Sequence, residues 1–291
     1  MNKKINFILL VALFLTLNTN AQLFWKVSGN GLTKPSYLFG THHLIEKEKI
    51  AGFEKVLAVI PQTDVVVGEM DMSNMLGMQL KMIKVAIMKD STMHDLLNVE
   101  EYSLVDTQLK EVVEMGLDKL GKMKPMMISA LYEVKLYMKQ NNIKKEPEAV
   151  DIVFQKEAKK KKKKIIGLET IDQQLNILFN SMSLKHQAEL LVQTVKDKDK
   201  SLQQLTKLNE AYLKGDLKTL SELTVNEEQM TPEDRKILID NRNNNWVSQL
   251  KTLLPKQSCF VAVGCMHLTD EIGLIQLLKN AGYTVEAVEG F

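Results

Sequence analysis

The chain has 291 residues, with 38 lysines and arginines against 36 acidic residues, so its formal net charge is only +2. This near balance and an aromatic content of 6% give no basic or base-stacking surface of the kind that nucleic-acid-binding proteins use. We therefore expect no nucleic-acid partner. The length suits one large α/β domain or two smaller ones with a substantial buried core.

The first 21 residues have the features of an export signal. Two lysines precede an apolar run (5–17), and the small residues Thr19 and Ala21 stand at −3 and −1 of a cleavage site. The run is shorter than the ~20 residues that span a bilayer, although an uncleaved anchor is the alternative. We predict a signal peptide over 1–21 and an exported mature protein, periplasmic or secreted, with no stable membrane span.

Short Val- and Ile-rich runs separated by long helical patterns predict a largely parallel sheet. Strands are predicted at 24–28 (as an edge strand), 36–39, 64–68, 165–168, 259–264 and 283–288. Helices are predicted at 48–60, 148–164, 170–180, 184–196, 202–214, 217–223, 231–254 and 269–281, and from 73 to about 155 with a new start at Pro125 and a loop at 144–147.

These elements define one domain, because the strands cluster at both ends of the chain and the middle is mostly helical. We expect an α/β domain over 22–291 with a mixed, largely parallel sheet core. A large helical insertion or cap, roughly 73–163 and 170–254, would cover the strand edge.

Four of the predicted strands end in the same way, with a glycine followed closely by a histidine or a carboxylate. The residues are His43 after Gly40, Glu69 after Gly68, Glu169 after Gly167, and His267 after Gly264. Ligands of parallel sheets bind beyond the carboxyl ends of the strands. If these strands are neighbours, two imidazoles and two glutamates meet there and form a metal site or an acid–base site.

Other candidate features favour structural roles. On an extended segment His42 and His43 would face opposite ways, so at most one of them joins the site and the other is exposed. His94 and His186 lie in helical stretches. Cys259 and Cys265 are too far apart along an extended strand for a disulfide, so we expect two thiols, with Cys265 near the site. The lysine run 159–164 is more typical of a solvated helix end than of a polyanion site, and the methionine spacing favours core packing over copper binding.

The same motifs carry a resemblance that spans almost the whole mature chain. Trp25-Lys-Val-Ser28, Tyr37-Leu-Phe-Gly40-Thr-His-His43, Gly167-Leu-Glu-Thr170, Arg242-Asn243 and Val263-Gly-Cys-Met-His267 resemble the TraB/GumN family, which includes the Tiki proteins. The resemblance implies a single α/β domain with paired strand-and-helix halves. It also implies a metal-dependent hydrolase, with protease activity attributed to Tiki members that use Mn or Co.

Site residues follow from the resemblance position by position. Cys265 departs from the family pattern, because a small inert residue is expected at its position. A thiol there would favour softer metal ions. His43 and His267 correspond to the two motif histidines, and Glu69 and Glu169 to the two acidic positions. Arg242 corresponds to the arginine of the R-N pair, and Asp151 to an aspartate before the G-L-E strand.

We therefore predict an exported metal-dependent hydrolase that acts on peptides or another small-molecule substrate. A divalent metal (Mn, Co or Zn) would be bound by His43, His267 and Glu69. Glu69 or Glu169 would be the catalytic base, and Arg242 would orient a carboxylate or stabilise an oxyanion. The alternative is a non-catalytic protein that binds metal, haem or an anion in the same cleft.

Overall fold

The computed structural model describes residues 23–224 and 231–289, so the predicted signal peptide lies outside the described residues. The described residues form a six-stranded sheet with the order β4-β3-β5-β2-β1-β6. Its strands are β1 (Phe24–Ser28), β2 (Ser36–Thr41), β3 (Val65–Met70), β4 (Lys164–Glu169), β5 (Cys259–Gly264) and β6 (Thr284–Ala287). The four strands β4, β3, β5 and β2 pair in parallel, and β1 is antiparallel to β2 and β6. This confirms the mixed, largely parallel α/β fold.

The register brings the four predicted strand ends to one edge of the sheet. Gly68 of β3 lies opposite Gly167 of β4 and Ala262 of β5, and Thr41 of β2 lies opposite Gly264 of β5. The valines of β3 and nearly all of β5 are buried, as expected for strands that are covered on both faces. The four candidate residues therefore leave adjacent strands at the same edge.

Helices cover both faces of the sheet and form a further layer. One core cluster contains Phe39, Phe154 and Phe260, and the cluster on the other face contains Trp246 and Leu250. A third cluster is built from residues of the helical region between β3 and β5, for example Leu109, Tyr132 and Leu191. The helices are α1 (Phe53–Leu57), α2 (Met75–Ala86), α3 (Met93–Leu96), α4 (Val99–Val112), α5 (Leu117–Leu120), α6 (Pro125–Gln140), α7 (Val150–Lys160), α8 (Ile171–Asn180), α9 (Leu184–Lys196), α10 (Lys198–Lys214), α11 (Leu217–Thr224), α12 (Pro232–Arg235), α13 (Asn241–Leu253) and α14 (Leu274–Asn280).

Three local predictions were wrong. The strand 24–28 is interior, because β6 pairs with its outer side. The helix predicted over 48–60 is reduced to α1 and short 3₁₀ turns, since Gly52 has a φ of 68°. The helix predicted over 269–281 begins only at Leu274, because Asp270 takes a left-handed φ of 64°.

The helix predicted over 231–254 contains a π segment. It begins with α12, widens into a π-helical turn at Lys236–Asp240, and continues as α13. Such turns are rare and occur often at functional sites. This one ends two residues before Arg242.

In the part of the chain that the structure describes, no helix is both long and apolar enough to cross a membrane.

Candidate functional site

Glu69 lies at the centre of the hydrogen-bond network at the strand edge. Its Oε1 accepts a bond from the Gly264 backbone N–H (2.8 Å), and its Oε2 accepts bonds from Arg242 (2.7 Å) and Gln174 (2.9 Å). Burial alone raises its pKa. The charges of His267 and Arg242, and the Gly264 bond, outweigh that effect and lower the pKa of Glu69 to about 2. The carboxylate is therefore ionised at neutral pH.

Arg242 joins the two glutamates into one unit. Its Nε and Nη2 donate to the two oxygens of Glu169 at 2.8 and 3.0 Å, and Nη2 also donates to Glu69. The Trp246 indole N–H donates to Glu169 Oε1 (3.0 Å), and the Arg242 guanidinium lies 4.6 Å from the centre of the Trp246 ring. Both side chains come from α13, four residues apart and thus on one helix face.

The tautomer of His267 follows from its two neighbours. Arg242 can only donate, so the Arg242 Nη1 contact at 3.2 Å makes Nε2 of His267 the acceptor. The proton is then on Nδ1, which donates to Asn243 Oδ1 at 2.7 Å. The Asn243 amide N–H₂ bonds the carbonyls of His267 and Ile272, which fixes its orientation.

The imidazole of His267 is held neutral. Burial lowers its pKa to about 4, assisted by the charge of Arg242 and opposed by that of Glu69. Its Nε2 lies 4.0 Å from Glu69 Oε1. A neutral ring with a fixed second nitrogen is the usual state of a histidine that binds a metal.

His43 lies in a different environment from His267. Its side chain is 71% exposed, and Nδ1 lies 3.4 Å from Oδ2 of Asp151. The other Asp151 oxygen accepts a bond from the Thr41 hydroxyl (2.8 Å). Oδ2 is buried and makes no hydrogen bond with any described residue. Burial raises the pKa of Asp151, the positive charge of His43 opposes this rise, and the negative charge of Glu69 adds to it.

The strand-end glycines permit close packing at this edge. A Cβ at Gly68 would lie 2.9 Å from Nε2 of Gln155, and one at Gly167 would lie 2.7 Å from the Asp71 backbone nitrogen. Gln155 donates to the Met70 carbonyl and accepts from the Met72 N–H, so it holds the chain directly after Glu69.

The other histidines and the cysteines lie outside this network. His42 is buried against Tyr212, and burial with the charge of His43 lowers its pKa to about 4. His94 stacks on Tyr102, and His186 contacts Asp234. Both cysteines are free and buried, which confirms two thiols; burial raises the pKa of Cys265 to about 12, so it is not a reactive thiolate.

The structure thus places Glu69, Glu169, Arg242 and His267 in one hydrogen-bond network. It places His43 beside Asp151 instead. Sequence reasoning missed Asn243, Trp246 and Gln174 as functional positions. A signal existed for two of them: Asn243 stands beside Arg242 in the R-N pair, and Trp246 lies one helical turn later. Gln174 has no motif, and only the packing of α8 brings it to Glu69.

The described side chains do not include a group of three or more His, Cys, Asp or Glu residues already arranged to hold a metal ion. They provide two pairs of donors instead. The separations are 4.0 Å for Glu69 and His267 and 3.4 Å for His43 and Asp151. Metal–ligand bonds of ~2.0–2.2 Å put a nitrogen and an oxygen donor at most about 4.3 Å apart, on a straight line through the ion. Each pair lies within that limit.

The fold and this edge define an α/β protein whose polar site is assembled from the carboxyl ends of parallel strands. The TraB/PrgY/gumN family model matches residues 23–287, so the chain belongs to the TraB/PrgY/gumN family. No curated protein and no solved structure matches the chain.

Proposed function

We propose that this strand edge is the catalytic centre of an exported, metal-dependent hydrolase that acts on peptides. The observation that carries the proposal is the pair formed by His267 and Glu69. The imidazole is held neutral and the carboxylate ionised, with pKa values of about 4 and about 2. These are the protonation states that metal ligands require.

Donor chemistry supports a divalent metal such as Mn, Co or Zn held by His43, His267 and Glu69, with Asp151 as an additional ligand. The buried Asp151 Oδ2, which makes no hydrogen bond to the described residues, gains a partner in such a site. Nε2 of His267 has to exchange its contact with Arg242 Nη1 for the metal. The other guanidinium nitrogens still hold both glutamates.

A bound metal would lower the pKa of a water molecule and so supply a nucleophile. The protein side chains divide the remaining work. Glu69, which is ionised, would serve either as a ligand or as the group that accepts a proton from water. Glu169 has both oxygens bonded to Arg242 and so positions the guanidinium. Arg242 stabilises negative charge that develops on the scissile carbonyl.

Metal titration followed by a cleavage assay tests the proposal. A metal that binds only the folded state raises stability by ~2.7 kcal/mol at a hundredfold excess over Kd. We expect Mn, Co or Zn to raise the melting temperature of the wild type. The shift should be smaller in His267→Ala and His43→Ala, and unchanged in the control His94→Ala.

A peptide library then separates the two candidate classes. Metal-dependent cleavage that is lost in Glu69→Gln supports the hydrolase. Metal binding without cleavage of any peptide favours the non-catalytic binding protein. Equal thermal shifts in the wild type and both histidine variants remove these histidines from the metal site.

Export is a separate part of the proposal and has its own test. Cleavage after Ala21 leaves Gln22 as the first residue of the mature chain. N-terminal sequencing of protein purified from its native host should start at Gln22. A sequence that starts at Met1 would instead indicate a retained anchor.

A further inference from the structure

Helix α2 presents an apolar stripe to solvent. Leu76, Leu80 and Ile83 are 68%, 62% and 63% exposed, and Ile87, directly after the helix, is 38% exposed. At 100° per residue Leu76, Leu80 and Ile83 fall within about 60° of one another around the helix. Within the described residues, nine large apolar side chains are exposed, and five lie between residues 75 and 87. Single exposed apolar residues are normal, whereas a contiguous patch marks an interaction surface.

Opposite the stripe, α2 is fixed to the protein. Met78 and Ala86 are buried, Lys81 pairs with Asp172 of α8 at 2.6 Å, and the Asn74 side chain caps the N-terminus through Gly77. The stripe is therefore a stable feature of the folded surface.

Lysines lie at the N-terminal end of the stripe. The run 159–164 ends α7, and Lys159 Nζ donates to the Ser73 carbonyl, two residues before α2 begins. Lys163 is not counted among these surface lysines, because its ammonium donates to the Pro61 and Thr63 carbonyls. Lys160 and Lys161 share one partner, Glu157, and Asp71 bonds the Ser73 N–H. With Lys159, three lysines face these two carboxylates, so this end keeps a surplus of positive charge.

A second group of lysines lies at the C-terminal end. The Lys124 N–H bonds the Ala86 carbonyl, and the Met88 N–H bonds the Lys122 carbonyl. Burial and the nearby charge of Lys89 lower the pKa of Lys124, which shows that these cations are close together. Asp90 is the acidic residue next to Lys89 in the chain. Lys84 is exposed beside the stripe on α2 itself.

We propose that α2 and its flanking lysines dock the protein on a bilayer surface that contains anionic lipids. Helices that lie in a membrane interface combine an apolar face with flanking lysines. Each cation near an anionic surface adds to the attraction. A binding groove in a partner protein accounts for the stripe but not for lysines at both of its ends. The proposal does not rest on hydrolase activity.

Vesicle co-sedimentation tests the proposal with the chain from Gln22 onward, which keeps every described residue and lacks the N-terminal apolar run. The probes are phosphatidylcholine vesicles with and without phosphatidylglycerol. We expect binding to the mixed vesicles only, and weaker binding as salt is added. Leu80→Ser/Ile83→Ser and Lys160→Glu/Lys161→Glu should each reduce binding at least about tenfold.

Matched controls make the result specific to this surface. Val99→Ser changes a side chain of α4 that is 86% exposed, and Lys251→Glu reverses an exposed charge on α13. Both should bind as the wild type does, and thermal melts check that every variant is folded. Equal binding to neutral vesicles, or binding unaffected by the stripe variant, overturns the proposal. A self-association that only the stripe variant abolishes, without vesicle binding, assigns the stripe to a second copy of the chain and also overturns it.

Discussion

The two halves of the strand edge differ in how far their polar groups are satisfied. Around Arg242, both oxygens of Glu69 and of Glu169 accept hydrogen bonds, and His267 uses both ring nitrogens. Around His43 the arrangement is open. The ring is 71% exposed, and Asp151 Oδ2, 3.4 Å from its Nδ1, makes no hydrogen bond with any described residue.

The Arg242 half is therefore preorganised, whereas the His43 half has an oxygen that can still bind a ligand. A network whose members are all bonded keeps its geometry without a ligand. A buried carboxylate oxygen without a donor costs stability, and a metal ion or a cationic group relieves that cost. We therefore expect the Arg242 half to control stability and the His43 half to control ligand affinity.

Arg242→Met should have the largest effect. It leaves two buried carboxylates without their shared cation, and loss of one partner from a buried pair costs roughly 3–5 kcal/mol. Chemical denaturation measures the change. Lys81→Met, which breaks the exposed pair with Asp172, is the control and should cost less than ~1 kcal/mol. Similar losses in both variants would show that the network is not a structural unit.

Acidification should destabilise the protein between pH 6.5 and 4. The pKa values of His42 and His267 fall from 6.5 to about 4, so in this window the unfolded state binds more protons than the folded one. Stability is then lost as pH falls, by up to about 3 kcal/mol for each histidine. Denaturation at several pH values measures the slope.

His42→Gln should reduce that slope, whereas His94→Gln should leave it unchanged. Glu69, whose pKa is lowered to about 2, adds a further loss only below its unfolded value of about 4.5. A slope that His42→Gln leaves intact would mean that other groups produce the pH dependence.

Asp151→Asn should have a small effect on stability and a larger one on binding. Because burial raises the pKa of Asp151, its ionisation costs folded-state stability as pH rises. The amide removes that cost and keeps the bond from Thr41. Stability at neutral pH should be equal or higher, while the metal-induced melting shift should shrink. A loss above about 1.5 kcal/mol would indicate that the carboxylate already has a stabilising partner.

His43→Ala should have the smallest effect on stability, within about 0.5 kcal/mol, because the side chain is exposed. Differential scanning calorimetry without metal provides the measurement. His267→Ala, which removes a buried ring that contacts both Trp246 and Arg242, should cost several times more. Equal costs would contradict the contrast between the two halves.

The strand edge could be predicted because its signal is local. Val- and Ile-rich runs that end in glycine indicate buried strands, and topology then brings Glu69, Glu169 and His267 to one edge. The opposite orientations of His42 and His43 were predicted, but the burial of His42 was not, because it depends on packing against Tyr212. The start of α14 was equally hidden, because Asn243 binds the Ile272 carbonyl and Arg235 pairs with Asp270 across the fold.

The π segment at Lys236–Asp240 is the form that one extra residue takes inside an α-helix. Its bonds run from residue i to i+5 instead of i+4, so the extra residue is absorbed within the turn and the helix on either side keeps its α winding. Deleting one residue inside this turn would restore the α pattern and leave Arg242, Asn243 and Trp246 facing the strand edge. The same deletion in the regular winding of α13 before Arg242 would instead turn these side chains by about 100°. When related chains are compared, a one-residue gap at the π turn is therefore compatible with an intact network.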